Sequence, residues 1–250
     1  MEQHMSDIFF EIHADNPREG PGNFESTKRA FQAMKNLPGK PSILDIGCGS
    51  GKQTLDLAQL TKGSITAVDN HEPFLAQLDK LVISQGLQKR VRTMKADMFS
   101  LNFPPRSFDI IWSEGAIYFI GFEAGLRSWK RFLKPKGYIA VSELTRLKTN
   151  PPQEAKDFWE GAYPAMRDVT GNLAIIDSAG YSLIEHFTLP ESAWLEEYYG
   201  PLQKRVEKLK VKYQNNPEAL KVLAAEDSER ESYRKYAAYY GYVFYIIKQS

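Results

Sequence analysis

The run Ile43-Leu44-Asp45-Ile46-Gly47-Cys48-Gly49-Ser50-Gly51-Lys52 passes from a short apolar segment directly into glycines at alternate positions. Ile43 to Ile46 is β-branched and bounded by Pro41 and the glycine cluster, which predicts a buried strand. A helix is expected from Lys52 to about Leu60, burying Leu55, Leu57 and Ala58. Glycines at such a strand-to-helix turn let bare backbone approach a ligand with no Cβ in the way. The free N–H groups of the helix that follows favour an anion there.

The rest of the chain repeats this alternation. Gly63 ends the first helix, and Ile65 to Val68 predicts a second strand closing at Asp69. Phe74, Leu75, Leu78, Leu81 and Val82 recur at helical spacing, with Gly86 as the stop. Strands are expected at Val91 to Met94, ending near Asp97, and at Phe108 to Trp112. Leu126, Trp129, Phe132 and Leu133 mark another helix, Pro135-Lys136-Gly137 a turn, and Tyr138 to Val141 a fifth strand. Residues 151–179 read as helical, Tyr181 to Phe187 as a sixth strand, Leu195 to Arg234 as helix broken at Pro201 and Pro217, and Tyr242 to Ile247 as a last strand. Strands alternating with helices predict an α/β fold with a mostly parallel sheet covered on both faces. Right-handed crossovers gather the strand ends on one edge, where ligands bind. The first four strands end at Gly47, Asp69, Asp97 and Ser113-Glu114, so small and acidic residues collect there.

Composition narrows the options. At 250 residues with 42% hydrophobic and 25% charged, the chain suits a folded single domain and not a disordered one. The net charge of +1 gives no electrostatic footprint for nucleic acid. The lone cysteine, Cys48, forms no internal disulfide, which fits a reducing, cytoplasmic setting. The beginning MEQHMSDIFFEIH carries acids and does not read as a signal peptide, and no apolar stretch is long enough to span a membrane. The four histidines, His4, His13, His71 and His186, are scattered and give no metal site.

The glycine spacing separates two ligand classes. Dinucleotide sites use G-x-G-x-x-G, but Lys52 stands at the third glycine position and the extra glycine falls at Gly51. A nicotinamide-dependent oxidoreductase therefore ranks below a reading in which the loop holds the amino-acid end of S-adenosylmethionine (SAM) and Asp45 helps balance its cationic groups. The motif D-I-G-C-G-S-G resembles motif I of class I SAM-dependent methyltransferases. A-V-D-N, K-A-D-M, S-F-D-I-I-W and L-K-P-K-G-Y-I-A-V-S-E resemble the later motifs of that family in order, from about Pro41 to Leu144. The match is nearest to the ubiquinone/menaquinone-biosynthesis type.

That resemblance implies a Rossmann-like fold with a seven-stranded sheet and a helical insertion before the last strand. It implies a single methyltransferase domain over 1–250, with an N-terminal helical segment at 1–40, a SAM-binding core at 41–145, and helical insertions at 151–180 and 190–238 shaping the acceptor pocket. Gly47, Cys48, Gly49 and Gly51 are expected around the methionine part of SAM, Asp69 on the ribose hydroxyls, Asn70 beside the adenine, and Phe74 elsewhere in the cofactor site. Asp97 is expected on the adenine amine, Met98 on the ring, and Ser113, Glu114 and Gly115 on the floor near the sulfonium. Asp97 also reads as a simple turn cap before Ser100-Leu101. Ser26 or Thr27 is expected to cap a helix holding Ala30, Phe31 and Met34, and the resemblance suggests that Gly20 to Thr27 folds over the cofactor.

The implied activity is methyl transfer to a small-molecule acceptor by in-line displacement, in which alignment matters more than any one side chain. Tyr118 and Glu143 are the candidate bases, with His186 behind them, each equally well read as structural. A noncatalytic SAM-binding module is the alternative within the same fold, and a homodimer is one arrangement the sequence allows. Phe158, Trp159, Tyr163, Trp194, Tyr198 and Tyr199 serve equally as pocket lining or as helix-packing core. The basic run Lys204 to Lys212 reads as a solvated helix face, because acids offset it nearby.

Overall fold

The computed structural model describes residues 2–14 and 16–249; Met1, Asp15 and Ser250 lie outside the described residues, as do the side chains of residues 2–7, His4 among them. Two helices precede the sheet, α1 (Glu2–His13) and α2 (Phe24–Ala33). Then β1 (Ser42–Ile46), α3 (Lys52–Leu60), β2 (Ser64–Asp69), α4 (Glu72–Ser84), β3 (Val91–Lys95), β4 (Phe108–Glu114), α5 (Phe122–Trp129) and β5 (Leu133–Arg146) alternate. They are followed by α6 (Gln153–Ala162), α7 (Val169–Ser178), β6 (Tyr181–Thr188), α8 (Glu191–Trp194), α9 (Gly200–Lys212), α10 (Pro217–Tyr236) and β7 (Tyr240–Gln249).

The seven strands form one sheet in the order β3-β2-β1-β4-β5-β7-β6. β1 to β5 run parallel to one another, and β7 lies antiparallel between β5 and β6. Going from β1 to β2 to β3 the chain moves one way, and from β1 to β4 to β5 the other. The topological switch therefore falls at β1, where a doubly wound sheet opens its ligand crevice.

Alternating strand residues build two cores, one on each face. Ile43, Ile110, Trp112 and Phe244 pack with Ile12, Leu57, Leu78 and Trp194 from α1, α3, α4 and α8. Leu44, Ile46, Ile111 and Tyr245 pack with Leu126, Trp129 and Ile176 from α5 and α7. α4 shows why the pattern was readable: Leu75, Leu78 and Val82 share one buried stripe, Pro73 sits in its first turn, and Gly86, at φ 67°, leaves the helix left-handed.

Three details depart from the sequence reading, while the expected break at Pro217 is present. The cap of α2 is Asn23, whose side chain accepts from Ser26 N–H at 2.8 Å; Ser26 and Thr27 already lie inside the helix. Asn before Phe24 supplies the same oxygen acceptor three residues earlier in the turn. β5 begins at Leu133, and the Pro135-Lys136-Gly137 turn sits within it as a looped-out irregularity, with Lys136 at φ 65°. Pro201 does not break its helix: the chain stays helical from Glu191 to Lys212, passing through a π-helical turn at Leu195–Tyr199 just before the proline. The wider turn relieves the clash of the proline ring with a preceding carbonyl. Pro217 starts α10, where Asn216 caps the helix by accepting from Ala219 N–H.

No helix among the described residues is long and apolar enough to cross a membrane.

Candidate functional site

β1 ends in the glycine loop, and all three glycines there have positive φ (72°, 52° and 91°). A turn this tight needs the left-handed region at successive alternate positions, which side chains with a Cβ rarely adopt. Gly47 N–H and Cys48 N–H both donate to Val68 O, at 2.9 and 3.0 Å, locking the loop to β2. Gln53 Nε2 donates to Cys48 O at 3.0 Å. Cys48 itself is buried, and burial pushes its thiol up, away from nucleophilic chemistry.

The loop floors a cavity of about 420 Å³ at the C-terminal ends of β1, β2 and β4. Gly47, Cys48, Gly49, Asp69, Asn70, Phe74, Asp97, Met98, Glu114, Gly115 and Tyr118 all line it. Residues that are 20 to 70 positions apart in sequence thus meet at one sheet edge. Asp69 is held rigidly there: its Oδ2 accepts from Gly49 N–H and its Oδ1 from His71 N–H, each at 2.9 Å. A carboxylate has about four acceptor sites, so two backbone bonds leave capacity for a ligand. Asp97 Oδ1 accepts from Phe99 N–H at 3.0 Å, the turn-cap geometry, while the residue also borders the cavity.

Other candidates sit elsewhere. Asp45 is fully buried beneath the loop and does not reach the cavity; its Oδ2 accepts from Thr54 Oγ1 at 2.5 Å, tying β1 to α3. Burial pushes its carboxyl up to about 7, against the hydrogen bonds from Thr54 and Gln53. Balancing a ligand's cationic groups directly is therefore not its role. Gly51 is also outside the cavity: a Cβ there would meet Leu78 Cδ1 at 2.3 Å, so the residue lets α3 close on α4. Ser113 is completely buried.

Glu143 lies behind the cavity wall. Its Oε1 accepts from Tyr163 O–H at 2.5 Å, its Oε2 has no partner, and burial pushes its carboxyl up to about 8. Tyr118 borders the cavity, with its ring 5.8 Å from that of Tyr163, and burial raises its hydroxyl above the ordinary range. At neutral pH it is an O–H donor. His186 is exposed on β6 beside Tyr245, apart from the cavity.

The N-terminal segment closes the site in a way that sequence reading caught only in part. Gly20 and Pro21 line the cavity, and so do Phe10, His13, Arg18 and Glu19. Arg18 crosses the site's edge, Nη2 donating to Asp56 Oδ2 at 2.7 Å and Nη1 to Glu114 Oε2 at 3.0 Å. Glu114 Oε1 also accepts from Thr27 Oγ1 and from Trp112 Nε1. Thus Glu114 serves as the mooring post for Arg18 and α2. His13 lies 3.1 Å from Glu19 and 3.8 Å from Glu226. Burial alone pulls His13 down, but these carboxylates outweigh it and push it up to about 9. The available signal was the Asn16-Pro-Arg-Glu-Gly-Pro-Gly22 stretch, in which adjacent opposite charges sit among turn residues.

The aromatic residues of the helical segments mostly form core. Trp194 stacks on Tyr233 at 4.2 Å and packs near Tyr199 and Tyr242, joining α8 and α10 to β7. Trp159 packs edge-on to Tyr240. In the basic run, Val206 and Leu209 are buried while Lys210 and Lys212 pair with Asp227 and Glu11. Among the described residues no group of three or more His, Cys, Asp or Glu is placed to hold a metal.

A family model described as a methyltransferase domain matches residues 43–137. Sterol 24-C-methyltransferase erg-4 of Neurospora crassa is 25% identical over 168 residues, covering 64% of this chain and 44% of the relative. Phosphoethanolamine N-methyltransferase 1 of Arabidopsis thaliana is 26% identical over 163 residues, covering 64% of this chain and 32% of the relative. The chain thus spans less than half the length of either. The crystal structure of a SAM-dependent methyltransferase from Geobacter sulfurreducens, solved with S-adenosyl-L-homocysteine, superposes with a TM-score of 0.82 at 20% identity, covering 98% of both chains. The fold is the Rossmann-like class I methyltransferase fold expected from the motifs.

Proposed function

We propose that this chain is a cytoplasmic SAM-dependent methyltransferase acting on a small-molecule acceptor. The observation that carries the reading is the cavity itself: a loop of left-handed glycines and a braced carboxylate, Asp69, face one enclosed space at the switch point of the sheet. The residues present fit the group. Bare backbone at Gly47 and Gly49 suits an amino-acid tail, and a two-oxygen acceptor at Asp69 suits a vicinal diol. Asn70, Phe74, Asp97 and Met98 also line the cavity and would receive the adenine.

SAM supplies an electrophilic methyl group on a sulfonium when bound. This chain's residues would supply the rest: Asp69 would orient the ribose, Gly115 and Ala116, which add little bulk to the cavity wall, would leave room for the methyl donor, and Tyr118 would present an O–H to the acceptor. Positioning of this kind is worth about 7–11 kcal/mol in favourable models. Glu143 acts at one remove, by fixing Tyr163 against Tyr118. The helical segments 151–180 and 190–238, expected to shape the acceptor pocket, supply none of the residues that line this cavity; Tyr163 reaches it only by packing on Tyr118. The motif likeness to ubiquinone/menaquinone enzymes and the sterol and phosphoethanolamine relatives agree on a small acceptor, which is the class we adopt.

Isothermal titration with SAM tests the cofactor, with binding in the micromolar range expected. Tight NADH binding without SAM binding would instead restore the oxidoreductase reading. Transfer of label from methyl-labelled SAM into a metabolite extract tests turnover, and binding with no transfer would identify a noncatalytic SAM-binding module.

A further inference from the structure

The N-terminal segment brings three side chains with an unmet hydrogen-bonding atom to the cavity, His13, Arg18 and Glu19; His13 Nε2 is turned to Glu226 at 3.8 Å, and the unmet atoms of Arg18 and Glu19 are of opposite sense. Glu19 lies directly over the glycine loop: a Cβ on Gly49 would sit 2.9 Å from Glu19 Cγ. Its Oε2 bonds His13 Nδ1 at 3.1 Å, while its Oε1 is out of solvent and has no partner. Burial pushes this carboxyl up, the expected response of an acceptor with too few donors. Beside it, Arg18 is 3% exposed, with both terminal nitrogens committed to Asp56 and Glu114. Its Nε is buried without an acceptor. Buried polar atoms are almost always satisfied, and an exception needs a reason.

We propose that Arg18 and Glu19 are the clamp for the amino-acid end of the cofactor, with Glu19 Oε1 taking the ammonium and Arg18 Nε the carboxylate. The inference rests on reading the cavity as a SAM site and adds the part of that site which the glycine loop alone does not supply. An ammonium offers three donors and no acceptor, so it needs oxygen atoms; a carboxylate needs donors. Glu19, Asp69, Asp97 and Glu114 all border the cavity, so an anionic tail requires a local cation, and Arg18 is the guanidinium that faces it. The clamp is held ready. Ser50 Oγ donates to Pro17 O at 3.1 Å, pinning the segment to the glycine loop next to Arg18. The two anchoring carboxylates of Arg18 come from α3 and β4, the elements flanking the cavity floor. Preorganised groups of this kind give affinity by avoiding ordering costs on binding.

The test uses calorimetric titration of the full chain with three probes: SAM, S-adenosylhomocysteine and 5′-methylthioadenosine, which keeps the nucleoside and sulfur but lacks the amino-acid end. Glu19→Gln preserves size and removes the charge. SAM and S-adenosylhomocysteine should each bind roughly ten- to a hundredfold more weakly to it, the loss typical of a hydrogen bond to a charged group. Methylthioadenosine should bind wild type and variant alike. Equal losses for all three probes would mean that Glu19 only holds the segment closed, and the clamp falls. A loss for SAM without one for S-adenosylhomocysteine would place the effect at the sulfonium and also overturn it. Should Glu19→Gln fail to fold, Glu19→Asp, which withdraws the carboxylate by one methylene, carries the same expectations. If none of the probes binds the wild type, the cofactor reading fails first, and that result is distinct from the others.

Discussion

Glu143→Gln is expected to make the protein less sensitive to alkaline pH, and the size of the effect follows from burial. Glu143 is 2% exposed, and only its Oε1 has a partner, the Tyr163 hydroxyl. Burial raises its carboxyl from 4.5 to about 8. Each tenfold change in proton affinity is worth about 1.4 kcal/mol, so the native state prefers the neutral carboxyl by about 5 kcal/mol. The sign follows from linkage: the folded value lies above the unfolded one, so the native state holds the proton over a range in which the unfolded chain releases it. Stability from this group is complete below pH 4.5 and is lost as pH rises to about 8. Glutamine is neutral at every pH and keeps an oxygen for the Tyr163 hydroxyl. Its amide N–H₂ replaces the orphan Oε2, which shifts stability by a constant ~1–3 kcal/mol but adds no pH dependence. Between pH 5.5 and 8 the stability of the variant relative to wild type should therefore rise by about 3 kcal/mol, from the ~1.4 kcal/mol per pH unit of one linked proton. Urea unfolding of both proteins at half-unit steps measures that difference, and titrations common to both, such as those of His13 and Asp45, cancel. A difference that stays flat across this range would refute the buried-neutral assignment.

Three further outcomes are expected. Asp69→Ala should weaken SAM binding more than tenfold with an unchanged far-ultraviolet circular dichroism spectrum, because it removes the acceptor facing the cavity and frees Gly49 N–H; unchanged affinity would remove Asp69 from the cofactor site. Gly51→Ala should destabilise the fold by about 2–5 kcal/mol, combining strain at φ 91° with overlap onto Leu78, while the folded fraction retains its SAM affinity; an affinity loss larger than tenfold in folded protein would return Gly51 to the binding surface. Trp194→Ala should cost about 3–5 kcal/mol by chemical denaturation and leave SAM affinity unchanged, since the indole is 1% exposed and stacks on Tyr233 within the core.

Local chemistry made the Rossmann-like core legible. Gly47 to Gly51 marks the turn, Asp69 ends β2, Asp97 follows the end of β3, and Leu75, Leu78 and Val82 announce α4, because period and punctuation are properties of adjacent residues. The same logic placed most of the cavity, since strand ends in a parallel sheet share an edge. It misplaced Asp45 and Gly51, which have site-like identities but point under the loop and into α4. Whether a residue at a tight turn faces ligand or core depends on one dihedral, and no spacing rule carries that information.

By itself, then, the amino-acid order determined the alternation of strands and helices and the residue types available at the sheet's ligand edge, while the switch point at β1 came with the strand order. Only the tertiary structure decided that Arg18 and Glu19 reach across to that edge, that Glu114 is spent on anchoring them, and that Glu143 is walled off beside Tyr163. The physical reason is range: strands and helices follow from hydrogen bonds and side-chain patterns within a few residues. The partners of a buried charge are instead chosen by how segments nearly 100 residues apart pack together, as in the Arg18–Glu114 pair.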